Sequence, residues 1–133
     1  MDTEGTIRAA VAAFSEGDDA EFDALLSDDL HYSINAQPEV GPFCAEVDCK
    51  PAFYEAMGRI LAEWEIRDYR IIDLIVSGNR GAAQIAYTAL RHSGEAQFEA
   101  RLALFLTVDD GKLTEIHEYH DTAALGSGPT AVG

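Results

Sequence analysis

Residues 109–121 read DDGKLTEIHEYHD, a strand-like stretch that carries two histidines, two glutamates and a tyrosine and closes on an aspartate. Histidine moves protons near neutral pH, and glutamate does so when burial raises its pKa. On a strand alternate side chains share a face, so Ile116, Glu118 and His120 fall together while Glu115, His117, Tyr119 and Asp121 fall on the other side. A slip of one residue would exchange the two sets. His117 and Asp121 suggest part of a metal site. At i and i+4 on a strand they stand roughly 13 Å apart, too far to share one ion. Asp121 fits better as a cap for the turn into TAAL.

No other stretch competes with this one. The chain shows no Gly-rich nucleotide loop, no Ser/His/Asp signature and no metal-ligand spacing. Cys44 and Cys49 are its only cysteines. Without a downstream Cys/His pair they make no zinc framework, and reduced thiols are expected. Neither a metal nor a cofactor is expected.

Charge narrows the partners. Nine basic residues stand against 24 acidic ones, a formal charge of −15. Such a surface repels phosphate backbones and anionic headgroups, so neither nucleic acid nor membrane is an expected partner. The length of 133 residues suits one domain with a real core, from about residue 4 to 125, and a loose Gly-rich tail over 126–133. The amino terminus is acidic and lacks a signal-like apolar run, so the expected location is cytoplasmic.

Several elements must position the titratable strand. Ile7, Ala10, Val11 and Phe14 make one helical face, with Thr3 as its expected cap and Gly17 as its stop. Asp18 and Asp19 start a short second helix through Phe22, Leu25 and Leu26, and residues 30–34, LHYSI, follow as a short strand. Residues 35–48 read as a surface loop. Asp48 is the expected cap of a third helix with Pro51 in its first turn and the stripe Phe53, Met57, Ile60, Leu61, Trp64. Gly58 within it suggests close packing on a sheet. After Asp68 the period becomes two, and four strands separated by SGNRG, HSGE and DDGK form an antiparallel meander. The class is therefore α+β: a cone-like, curved antiparallel sheet covered by three N-terminal helices, with room for a pocket between the layers.

The order helix, helix, short strand, long helix, four-strand meander resembles the nuclear transport factor 2-like superfamily. FSEGDDAEFDALLSDDLHYS is similar to its helical hairpin and first strand, and GKLTEIHEYHDTAAL to its last strand, especially in the SnoaL-like, polyketide cyclase-like subgroup. The ketosteroid isomerase positions of that superfamily align with Ile34, Ala10 and Leu104, all apolar here, so that catalytic set is not retained. Of the limonene-epoxide hydrolase set, Tyr32 and Glu118 match in kind, whereas Ile34, Gln84 and Ala86 do not.

The resemblance implies that Ile116, Glu118 and His120 face the pocket, together with Tyr32, Gln84, Ala86, Thr88, Leu90, Leu102 and Leu104. Phe14, Phe53, Met57 and Trp64 are expected to close it from the helical side. Glu118 is the expected general base, with Tyr32 and His120 assisting. The implied function is cofactor-independent proton transfer on a small, mostly apolar, oxygenated substrate, of isomerase, cyclase, dehydratase or hydrolase type. A noncatalytic binder of a small apolar ligand remains open beside it. On the outer sheet face, Tyr87, Ala89, Ala103 and Phe105 are expected to alternate with Arg91, Glu99 and Arg101 and to be covered by a second copy in a homodimer.

Overall fold

A computed structural model of the protein describes residues 1–34, 45–94 and 97–120. Helix α1 spans Thr3–Glu16 and is capped by Asp2, one residue before the expected Thr3; the Asp2 carboxylate accepts the Gly5 N–H at 2.7 Å. An aspartate there places negative charge on the positive end of the helix dipole. Gly17 ends the helix in the left-handed region at φ 71°. Asp18 caps α2, Asp19–Ala24. This helix stops short of Leu25 and Leu26 because the sheet claims them: the Leu113 N–H donates to the Leu25 carbonyl at 2.8 Å.

Strand β1 therefore runs over Leu26–Ile34, starting four residues before the expected Leu30. Part of the expected loop is a strand too, β2 at Ala45–Val47, antiparallel to β1. Residues 35–44, with Cys44, lie outside the described residues, as do Asp121 and the expected tail; Cys49 is exposed and free. Helix α3, Lys50–Glu63, has Cys49 at its cap position with no side-chain bond. Asp48 bonds His31 instead. Trp64 is already extended and opens β3, Trp64–Ser77, so the stripe of α3 continues directly into the sheet. Gly58 meets nothing within 4 Å at its β-carbon position, so close packing is not its reason.

Strands β4 (Arg80–Arg91), β5 (Gln97–Asp109) and β6 (Lys112–Tyr119) complete the expected meander. The sheet order is β2-β1-β6-β5-β4-β3, and β1 lies parallel to β6. The six-stranded sheet is thus mixed rather than antiparallel throughout. Register shifts in β3 on either side of Arg70, with Asp68 at φ 55°, bend the edge strand and curve the sheet over the helices. Helix α1 crosses β4 where Gly81 has no side chain: a β-carbon there would lie 2.5 Å from Ile7 Cδ1. Ile7, Leu26, Leu30, Tyr32 and Ile85 are fully buried between the layers. No helix among the described residues is long and apolar enough to cross a membrane.

Candidate functional site

Glu118 sits near the middle of the sheet, opposite Ile34 on β1 and Leu104 on β5. Its side chain points to the helical side, as do those of Ile116 and His120. The side chains of Glu118 and His120 are only 13% and 8% exposed, and their contact is 2.8 Å between Glu118 Oε2 and His120 Nε2. Since a carboxylate can only accept, His120 Nε2–H is the donor. A carboxylate so far from water requires such a partner.

Two cavities meet at this carboxylate. One, of about 60 Å³, is lined by Phe14, Met57, Ile60 and Trp64 from the helical layer and by strand residues that include Tyr69, Tyr87, Leu102, Glu118 and His120. The other, of about 50 Å³, lies beside Phe14, Phe53, Met57, Leu104, Ile116 and Glu118. Phe14, Met57, Tyr69 and Glu118 belong to both walls. Each space holds a few waters at most and is well below the ~150 Å³ that accommodates benzene. Apart from Glu118, His120, the tyrosine hydroxyls and the Trp64 indole N–H, which has no hydrogen-bond partner among the described residues, the walls are apolar.

Three phenols feel the Glu118 charge. Burial is the main reason that the Tyr32, Tyr69 and Tyr87 hydroxyls resist ionisation, and the Glu118 carboxylate adds to it. Tyr87 is pushed up to about 12, while Tyr32 and Tyr69 stand well above the ordinary phenol range. All three therefore remain O–H donors at neutral pH. Tyr32 is fully buried but is on neither cavity wall. Its hydroxyl approaches Glu118 without completing a hydrogen bond of ordinary length. Its ring packs edge-on against Phe53 at 4.9 Å.

Of the residues expected to line the pocket, Phe14, Phe53, Met57, Trp64, Leu102, Leu104 and Ile116 face the cavities. Gln84, Thr88 and Leu90 do not. On β4 the inward residues are Ala83, Ile85, Tyr87 and Ala89, which pair with Leu104, Leu102, Ala100 and Phe98. Gln84 is exposed on the outer face, with Ala86, Thr88 and Leu90 on the same side. Accordingly Tyr87 and Ala89 do not belong to the outer face expected to join two copies. The cause is a one-residue difference in facing. The Gly78–Asn79 turn pairs Ser77 with Arg80, α1 presses on Gly81, and unbroken register with β5 carries that parity to Tyr87. The sequence held the signal: Ile85 and Tyr87 share one face, and the polar Gln84 and Thr88 share the other. Tyr69, the other missed phenol, lies within a bulge between Arg67 and Arg70 that strict alternation does not foresee.

The comparisons agree with this architecture. The SnoaL-like domain model matches residues 7–116. Comparison with curated proteins gives no significant match. Among solved structures, a Burkholderia pseudomallei NTF2-like protein of unknown function superposes with a TM-score of 0.81 at 16% identity, over 92% of this chain and 93% of its own. A Xanthomonas campestris protein provisionally named a polyketide cyclase gives 0.79 at 20% identity over 95% of each chain. A Rhodopseudomonas palustris protein provisionally named an isomerase gives 0.77 at 21%, over 93% of this chain and 92% of its own. With this fold and a family match over most of its length, the chain belongs to the SnoaL-like domain family.

Proposed function

We propose that the protein is a cofactor-independent enzyme that moves a proton on a small, mostly apolar, oxygenated substrate held between sheet and helices. Glu118 is the general base, and His120 holds one of its oxygens so that the other faces the ligand. Tyr69 and Tyr87, on the cavity wall, donate to the substrate oxygen on which negative charge develops. Tyr32, whose hydroxyl is near Glu118, assists. The observation that carries this reading is a carboxylate only 13% exposed where two cavities meet. The provisional isomerase and cyclase names of two structural neighbours support a reaction of this type.

The wall's apolar character supports a second reading, a binder without catalysis. Exchange in heavy water separates the two. A panel of small acyclic ketones and diketones, starting from acetone, is first screened for binding by thermal shift. Each binder is then followed by NMR for uptake of deuterium next to its carbonyl. The enzyme reading expects protein-dependent uptake that falls about 100-fold or more in Glu118→Gln. Binding without uptake leaves the binder, and equal uptake in the variant removes Glu118 from the chemistry. The β3 edge of the outer face, with Ile75 exposed, is proposed to join two copies of the chain, which leaves Ser33 and His117, three or more strands away, uncovered.

A further inference from the structure

The opposite face of the sheet carries a second constellation that the cavity does not use. Parallel pairing sets Ser33 beside His117 and His31 beside Glu115. Ser33 Oγ and His117 Nδ1 are 2.6 Å apart. His117 Nε2 lies 3.3 Å from Glu115 Oε1, and the Thr107 hydroxyl donates to the other Glu115 oxygen at 3.0 Å. The Thr107 bond first, and the His117 bond second, hold the Glu115 carboxyl below the usual range. Because that carboxylate only accepts, His117 carries its proton on Nε2 and turns the Nδ1 lone pair to the Ser33 O–H. Hydroxyl, imidazole and orienting carboxylate thus follow one another within hydrogen-bond reach, the arrangement that activates a serine. His31 stands close by, its ring 5.3 Å from that of His117, with Asp48 and Glu46 at its two nitrogens.

We propose that Ser33, His117 and Glu115 form a nucleophilic site that takes the acyl group of small activated esters, separate from the Glu118 cavity. Ser33 Oγ attacks the ester carbonyl carbon while its proton passes to His117 Nδ1. The carbon–oxygen bond to the leaving alcohol breaks, and that alcohol departs with the proton from His117. Water then attacks the acyl-serine by the same route, releasing the carboxylic acid and restoring Ser33. A serine that merely ties β1 to β6 would be no more reactive than any other on the surface.

The probe is p-nitrophenyl acetate with the intact chain, followed by nitrophenolate release and by peptide mass mapping. The expected result is an acetyl group on Ser33 that forms about 100-fold more slowly in His117→Ala and several-fold more slowly in Glu115→Gln. Ser33→Ala, which removes one oxygen, abolishes it. Circular dichroism confirms that each variant folds. Should His117→Ala fail to fold, the pH profile of the unaltered protein decides: labelling must rise through the imidazole titration. Acetyl groups only on Lys50, Lys112 or the amino terminus would overturn the proposal. So would a Ser33 adduct that forms equally fast without His117, or a rate indifferent to pH.

Discussion

Individual side chains around Glu118 are held in unusual states by burial. Tyr32 spends a fully buried hydroxyl on no completed hydrogen bond. An unsatisfied buried donor costs about 1–3 kcal/mol, so Tyr32→Phe should leave the fold at least as stable as before, as read by urea denaturation. A clear loss of stability would mean that the hydroxyl has a partner after all. Tyr87 makes a pH-dependent contribution. Its phenol is raised to about 12 from an ordinary 10.0, by burial first and by Glu118 second. The folded state therefore keeps a proton that the unfolded chain gives up. This contribution is intact below about pH 10 and is lost as pH climbs toward about 12. Urea midpoints should decline over that alkaline window, and the decline should be shallower in Tyr87→Phe. Parallel slopes would show that another group governs alkaline unfolding.

At the scale of helices and strands, two glycines make opposite predictions. Gly81 sits where α1 crosses β4, and an added methyl would meet Ile7 Cδ1 at 2.5 Å in a fully buried site. Gly81→Ala should destabilise by about 1–3 kcal/mol. Adding Ile7→Val removes the clashing carbon, so the double variant should recover part of that loss in a mutant cycle. Gly58 is exposed in the middle of α3 with nothing near its β-carbon position. Gly58→Ala should therefore raise the thermal midpoint, through a gain of about 0.5–1 kcal/mol in helix propensity. Both positions are isolated glycines in sequence, and only the neighbour across the layer tells them apart.

Over the whole molecule, the outer face at the edge strand β3 keeps Ile75 65% exposed, three strands from His117. If two copies meet there, Ile75→Glu should yield monomers in sedimentation while ligand binding in the cavity persists. A monomeric parent protein would remove the proposal. The general plan was legible from residues alone. Period-two spacing after Asp68, the helical faces of Ile7–Phe14 and of Phe53, Met57 and Ile60, and the tight turns all depend on local geometry, which a linear pattern records, although Leu61 of the expected stripe is exposed. Alternation likewise set Glu118 and His120 on one side of β6, because no bulge intervenes between them. Tertiary structure decided the rest. Parallel pairing of β1 with β6 brings Ser33 to His117 across 84 positions of chain, a closeness that no spacing in the sequence encodes. The facing of β4 was settled by α1 pressing on Gly81 and by continuous register with β5. That contact turned Tyr87 into the cavity and Gln84 to the outer face, because facing is fixed by what an element packs against.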